Sequence, residues 1–119
     1  MKIALFASGK GSNIENIIRY FNSNKSINIS FIYSNNKNSG AISHAKKHQI
    51  RYVLINKEDL LSPKALLNKL NNNQIDLIVL AGFLLKIPNS FIQGFNGEII
   101  NVHPSLLPKY GGKGMYGDN

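Results

Sequence analysis

Two polar side chains near the end of the chain stand where both could act on one reacting group. Asn101 and His103 lie two residues apart in the stretch IINVHPSLLPKY, at the end of a strand-like apolar run. Residues two apart in a strand point to the same side. An amide can donate and accept hydrogen bonds, and an imidazole also takes up a proton near neutral pH. Pro104 and Pro108 restrict the backbone around them, so the sequence predicts a stiff loop that positions a catalytic pair.

A second candidate site is the stretch ASGKGSN, near the start of the chain. Gly9 and Gly11 allow a tight turn and a close approach of backbone to ligand. Ser12 and Asn13 begin a helix, whose free N–H groups attract an anion, and Lys10 adds positive charge. The pattern matches neither the dinucleotide fingerprint nor the Walker loop. It predicts a phosphate-binding turn, and its structural alternative is a capped helix after a glycine turn.

A third candidate site is the stretch LAGFLLKIP, in the middle of the chain. Gly82 would allow a sharp exit from a buried strand. Phe83, Leu84, Leu85 and Ile87 could line an apolar slot for a flat ring. On the pattern alone, the favoured interpretation is that the core of the strand continues into a helix.

The elements that must position these residues alternate along the chain as β-α-β-α-β-α-β-α-β. Such alternation predicts an α/β fold with a Rossmann-like parallel sheet and helices on both faces. Sites in such sheets lie at the carboxyl ends of strands, here after Ala7, Ala81 and Ile100. The predicted strands are Lys2–Ala7, Ile27–Tyr33, Tyr52–Ile55, Asp76–Ala81 and Glu98–Val102, and the predicted helices are Ser12–Asn22, Ser39–His48, Pro63–Asn71 and Pro88–Gly94.

The composition of the chain excludes several kinds of chemical site. The 119 residues suffice for one domain or part of one, and they include no cysteine. Disulfides, thiolate metal sites and a cysteine nucleophile are therefore excluded. No apolar run approaches the ~18 residues of a membrane-spanning helix, and the first apolar stretch, Ile3–Ala7, is too short for a signal-peptide core. A cytoplasmic location is expected.

The net charge of +8 raises the question of nucleic acid. The lysines are scattered, with only Lys46 and Lys47 adjacent, and no basic stripe alternates with aromatic residues. A small anion such as a phosphate fits the charge equally well. Two further histidines, His44 and His48 on the second predicted helix, are interpreted as surface residues.

The three stretches together resemble a known family. ASGKGSN, LAGF and NVHPSLLPKY occur in the order typical of the phosphoribosylglycinamide formyltransferases, within the folate-dependent formyltransferase family. HPSLLP is typical of folate-dependent formyl transfer, and G-S-N after the first strand is typical of the enzymes that act on glycinamide ribonucleotide. The resemblance extends from Lys2 to about Tyr110 and implies the formyltransferase fold.

The resemblance also assigns residues. By this resemblance, the co-substrate is 10-formyltetrahydrofolate, and a further folate contact lies within residues 57–64 at a position that stays unassigned. The matched positions are Gly11, Ser12 and Asn13 for the substrate phosphate, Leu84, Leu85, Lys86, Ile87 and Asn101 for the folate, and Asn101 and His103 for catalysis.

The implied reaction is direct transfer of a formyl group to the amine of phosphoribosylglycinamide in purine biosynthesis. Asn101 and protonated His103 would stabilise the oxyanion, and His103 would also move a proton to the leaving nitrogen. No covalent enzyme intermediate and no metal are expected. The expected partners are small molecules, without nucleic acid or membrane, and the expected assembly is a monomer or homodimer.

One departure from the family concerns its third catalytic group. The resemblance implies an aspartate well beyond the histidine, on a loop that raises the pKa of that histidine. Asp118 is the only aspartate after His103 and does not match this place. Residues 1–119 are therefore expected to be the N-terminal part of a single formyltransferase domain, a fragment whose own activity is uncertain.

Three alternatives stay open at this point. A non-catalytic phosphate-binding module would keep G-S-N and need neither Asn101 nor His103. Another folate-dependent formyltransferase or deformylase would pass the formyl group to tRNA or to water. A nucleic-acid-binding protein would show strongly salt-dependent affinity.

Overall fold

Strands and helices alternate through the part of the chain that the computed structural model describes, residues 1–9 and 14–102. Each predicted element is present, and its described ends differ from the prediction by at most a single residue. The strands are β1 (Lys2–Phe6), β2 (Asn28–Ser34), β3 (Arg51–Leu54), β4 (Leu77–Ala81) and β5 (Glu98–Val102), and the helices are α1 (Ile14–Asn22), α2 (Gly40–Lys47), α3 (Lys57–Leu61), α4 (Lys64–Asn72) and α5 (Asn89–Gly94).

The five strands form one parallel sheet in the order β3-β2-β1-β4-β5. The chain starts at the centre with β1, moves outward through β2 and β3, and returns to the other side for β4 and β5. The predicted Rossmann-like α/β architecture is thus confirmed. Since the direction of winding reverses between β1 and β4, the carboxyl ends of these strands form the crevice in which such sheets bind ligands.

Apolar layers cover both faces of the sheet. On one face, Leu5 of β1 is buried in a cluster with Ile17 and Ile18 of α1. On the other face, Phe6 is buried in a second cluster that includes Phe91 of α5 and residues of α3 and α4. Each such side chain contributes about 1.5–3 kcal/mol by leaving water. Neighbouring residues of one strand therefore anchor opposite layers, which is why the strands are apolar throughout.

Helix α3 was not predicted from the sequence. Its five residues are too few to show a helical period. Its start carries a capping box, in which the Asn56 side chain accepts from the Asp59 N–H and Asp59 accepts from the Asn56 N–H. This N-x-x-D pairing was the feature of the sequence that could have revealed the start of α3. In the described residues, no helix is long and apolar enough to cross a membrane.

The prediction that His44 and His48 are surface residues was wrong. Their side chains are only 25% and 22% exposed, and both approach the carboxylate of Glu15 on α1. Residues four apart share one face of a helix, and α2 turns this face towards α1. The sequence pattern did not reveal that this face of α2 packs against α1, because only apolar residues were used to identify buried helix faces.

Tyr33 offers a test of the packing around β2. Its ring is fully buried against Phe6 and Phe31, and its hydroxyl has no hydrogen-bond partner among the described residues. We expect Tyr33→Phe to leave the free energy of unfolding at neutral pH unchanged or raise it by about 1 kcal/mol, because a desolvated hydroxyl is removed. Urea unfolding measures this, with the exposed Tyr52→Phe as the control.

The buried hydroxyl of Tyr33 also makes the free energy of unfolding depend on pH. Burial raises the pKa of Tyr33 to about 12, above the ordinary value of about 10 in the unfolded chain. The contribution of the neutral phenol is full below the unfolded pKa and is lost as pH rises towards the folded one. Between the unfolded pKa of about 10 and the folded pKa of about 12, the wild type should therefore lose stability relative to Tyr33→Phe. A variant at least 2 kcal/mol less stable than wild type at neutral pH would contradict this account.

Candidate functional site

The three predicted sites follow strands that are neighbours in the sheet. Phe6 of β1 pairs with Leu80 of β4, and Leu80 pairs with Asn101 of β5. These residues form one row across the sheet: Phe6 ends β1, and Leu80 and Asn101 each stand one position before the end of their strand. The sequence stretches after β1, β4 and β5 therefore begin at the same edge of the sheet.

Asn101 lies in this row as an exposed residue of β5. Ile99 packs against the layer of α3, α4 and α5, whereas Val102 is buried in the layer of α1 and α2. Since successive strand residues alternate between faces, Asn101 belongs to the face of α3, α4 and α5. Its predicted partner His103 lies outside the described residues.

The segment after β4 leaves the strand sharply at Gly82. Gly82 has φ of 70°, a left-handed backbone conformation that glycine adopts without steric cost. This confirms the prediction of a sharp exit. Leu85 and Ile87 then pack against the layer of α3, α4 and α5, whereas Leu84 is 80% exposed. Leu84 is thus available to contact a ligand, and its neighbours hold the segment to the core.

A cavity of about 600 Å³ opens beside this segment. One wall is residues 84–89, which include the predicted Leu84, Leu85, Lys86 and Ile87. The other wall is α3, through Lys57, Leu60 and Leu61. The sequence left residues 57–64 without an assigned contact, because an alignment of motifs does not resolve which side chains of α3 turn towards the cavity.

Ser8 is a residue of the site that the sequence reasoning missed. It follows β1, is nearly fully buried, and its Oγ accepts a hydrogen bond from the Leu84 N–H at 2.8 Å. The same hydroxyl donates to Oδ1 of Asn35, which follows β2. Ser8 N–H also points to the Gly82 carbonyl at 3.4 Å. One serine therefore ties together the segments after β1, β2 and β4.

Gly9, two residues after Ala7, is held by residues at the start of α2. The Gly9 carbonyl accepts from the Ser39 hydroxyl at 2.8 Å and from the Gly40 N–H at 3.2 Å. Ser39 also caps α2 by accepting from the Ala41 N–H. The described part of α1 begins at Ile14, where a helix start would attract an anion. The predicted phosphate ligands Gly11, Ser12 and Asn13, with Lys10, lie outside the described residues.

The role of Ser8 can be tested by hydrogen exchange. We expect Ser8→Ala to speed exchange of the Leu84 amide and to lower the free energy of unfolding by about 1–3 kcal/mol, because Leu84 N–H and Asn35 Oδ1 lose their common partner. Ser23→Ala is the matched control, since the Ser23 hydroxyl donates to the Tyr20 carbonyl at an exposed site. Unchanged exchange at Leu84 would show that Ser8 does not position this segment.

Comparison with known proteins identifies relatives along the whole chain. The model of the family described as formyl transferase matches residues 1–117. The chain is 37% identical to phosphoribosylglycinamide formyltransferase, chloroplastic, of Arabidopsis thaliana, over 98% of this chain and 42% of that protein. It is 38% identical to phosphoribosylglycinamide formyltransferase of Haemophilus influenzae, over 97% of this chain and 57% of that protein.

A solved structure that resembles this chain carries the same name as the relatives found by sequence. The crystal structure of phosphoribosylglycinamide formyltransferase from Campylobacter jejuni superposes with a TM-score of 0.74 at 30% identity, over 95% of this chain and 63% of that one. The chain thus spans about half the length of the relatives it matches. The match of the family model to residues 1–117, together with the shared fold, establishes that the chain belongs to the formyl transferase family.

Proposed function

We propose that the protein carrying this chain transfers the formyl group of 10-formyltetrahydrofolate to the amine of phosphoribosylglycinamide, in de novo purine biosynthesis. One observation carries the proposal. Asn101 near the end of β5, the segment beside the cavity after β4, and Gly9 after β1 lie at one edge of the sheet. The names of the relatives from Arabidopsis thaliana and Haemophilus influenzae support the choice of reaction and acceptor.

The cavity beside α3 fits the ring of a reduced folate. Its volume of about 600 Å³ falls within the roughly 300–1,000 Å³ of small-molecule sites. The exposed Leu61 and Leu84 would cover the faces of a flat ring, and backbone groups of residues 84–89 would hydrogen-bond its edge. The bound folate supplies the formyl group. Leu85, Lys86 and Ile87 complete the proposed folate contacts.

The acceptor would bind on the other side of the crevice. Gly11, Ser12 and Asn13 are proposed to hold its phosphate at the start of α1, where free backbone N–H groups and the helix dipole favour an anion. The hydrogen bonds from α2 to the Gly9 carbonyl would fix the turn that precedes them. The amine of the acceptor would then extend along the crevice towards β5.

The proposed chemistry is an addition followed by an elimination. The acceptor amine attacks the formyl carbon, and the carbonyl oxygen gains the negative charge. The Asn101 amide and protonated His103 donate hydrogen bonds to that oxygen, where donors matter most. The bond to the donor nitrogen then breaks as the carbonyl reforms, and His103 delivers a proton to the leaving nitrogen. The attacking amine gives up one proton, which restores the protonated state of His103.

The proposal also covers location, partners, assembly and domain organisation. We place the protein in the cytoplasm, acting on small molecules as a monomer or homodimer, without nucleic acid or a membrane as partner. The chain would form part of a single formyltransferase domain.

Comparison of acceptors tests the proposal. The intact protein is incubated with 10-formyltetrahydrofolate and with phosphoribosylglycinamide, methionyl-tRNA or no acceptor, and folate consumption is followed. We expect consumption to depend on phosphoribosylglycinamide. Consumption without any acceptor would indicate a deformylase, and dependence on tRNA would indicate a different transferase. Phosphate-dependent binding without consumption would leave a non-catalytic module.

A further inference from the structure

Glu15, His44 and His48 bring three metal-ligating atoms together between α1 and α2. Oε1 of Glu15 lies 3.0 Å from Nδ1 of His44 and 2.9 Å from Nε2 of His48. One ligating atom from each side chain lies within 4.8 Å of the others. None of the three residues belongs to the proposed formyl-transfer site, so that reaction does not account for them.

The two helices hold this cluster in a defined arrangement. His44 lies in α2, His48 is the C-cap of α2 one turn later on the same face, and Glu15 is in the first turn of α1. The helices pack against each other and against β2. All three side chains are half-buried at this contact. The ligating atoms are therefore presented by two packed helices and the C-cap of one of them.

His44 has an unmet requirement in this arrangement. Its Nδ1 is buried and makes no hydrogen bond within the described part of the chain, although Oε1 of Glu15 is only 3.0 Å away. The approach is close but lacks hydrogen-bond geometry, while His48 bonds to the same oxygen. Two imidazole nitrogens thus converge on one carboxylate oxygen, and only one of them is satisfied by it.

We propose that Glu15, His44 and His48 bind a divalent transition metal, preferentially Zn²⁺, with water as the fourth ligand. Two imidazole nitrogens and one carboxylate oxygen are a donor set that Zn²⁺ accepts in tetrahedral geometry. Bonds of about 2.0–2.1 Å to each ligand separate neighbouring ligands by roughly 3.3 Å. The two distances from Oε1 of Glu15, 2.9 and 3.0 Å, need to open by a few tenths of an ångström. The two imidazole nitrogens, which lie within 4.8 Å of each other, would settle at the same tetrahedral separation. This site departs from the sequence-based expectation that the protein uses no metal.

The positive side chains around Glu15 are compatible with this site. Arg19 Nε binds the other carboxylate oxygen, Oε2, at 2.6 Å, which orients the carboxylate as outer partners of metal ligands do. Lys47 Nζ lies 3.6 Å from Oε1, but its side chain is 60% exposed and can turn into water. Hydrogen bonds from His48 and then Arg19 lower the pKa of Glu15 to about 2, so Glu15 is a carboxylate near neutral pH, and a metal would replace the hydrogen bond that His48 makes to it.

A metal at this place would join the first turn of α1 to the C-terminal half of α2. Glu15 lies at the start of α1, and α2 begins at the Ser39 cap that holds the Gly9 carbonyl. The ion would therefore hold the later part of α2, beyond the Ser39 cap, against the first turn of α1. This role is structural, and it does not depend on formyl transfer.

Zn²⁺ titration of the intact, chelator-treated protein tests the inference. We expect one equivalent of Zn²⁺ to bind in competition with a chelating dye and to raise the thermal unfolding midpoint by a few degrees. Glu15→Gln and His48→Gln should each weaken binding by at least tenfold. Glu58→Gln is the matched control, since Glu58 is an exposed carboxylate on α3, and it should bind as the wild type does.

Co²⁺ absorption of the wild type gives a readout independent of how the variants fold. An intense visible spectrum typical of tetrahedral Co²⁺, displaced by one equivalent of Zn²⁺, is expected. Absence of Zn²⁺ binding to the wild type would overturn the inference. Wild-type affinity in both Glu15→Gln and His48→Gln, or the weak spectrum of octahedral Co²⁺, would overturn it as well.

Discussion

Replacing Asn101 by alanine is expected to lower kcat for formyl transfer by about 10²–10³-fold, the usual effect of removing one oxyanion donor. Asn101 is exposed at the carboxyl end of β5, in register with Leu80 of β4. Its proposed hydrogen bond strengthens as the formyl oxygen becomes negative, so kcat should fall more than the KM of either substrate rises. Steady-state kinetics with both substrates varied measure this.

The control for Asn101→Ala is the same substitution, asparagine to alanine, at a position outside the crevice. Asn68→Ala removes an exposed asparagine on α4, outside the crevice, and should retain wild-type kinetics. If Asn101→Ala kept more than half of the wild-type kcat, the amide would have no part in stabilising the oxyanion, and the proposed role of β5 would fail.

Replacing His103 by alanine is expected to cost several orders of magnitude in rate, about 10³-fold or more, because one side chain serves as oxyanion donor and as general acid. Rapid-mix single-turnover assays separate this chemical step from substrate binding. Near-normal turnover by His103→Ala would refute the assignment of catalysis to this residue.

The double variant tests whether the two residues act together. Groups that stabilise the same oxyanion are not additive, so Asn101→Ala combined with His103→Ala should lose less rate than the product of the two single losses. A fully multiplicative loss would mean that the two side chains act in separate steps.

The fold could be predicted from local patterns to a large extent, for a physical reason. Strands buried on both faces need continuous apolar runs, and β5 has the predicted bounds Glu98–Val102. Helix α1 shows its apolar face at the helical period. The short helix α3 could not be found by period, since its one buried residue is Leu60. Only the capping box at its start marked it.

The place of the site in the sheet could be predicted, because it depends on topology. The contacts between residues far apart in the sequence could not be predicted. The carboxyl-end rule brought the stretches after β1, β4 and β5 to one edge. The hydrogen bond from Leu84 to Ser8 spans 76 positions of sequence, and no local pattern indicates it. The convergence of His44 and His48 on Glu15 likewise depends on how α2 packs against α1.

Single-turnover transfer of an isotopically labelled formyl group tests the central claim most directly. The intact protein, in excess over 10-formyltetrahydrofolate labelled at the formyl carbon, is mixed with phosphoribosylglycinamide and followed by NMR. The account predicts that the label moves to the acceptor nitrogen without an adduct on the protein, and that Asn101→Ala slows this transfer. Label appearing in formate, on the protein, or remaining on the folate while the acceptor is present would contradict it.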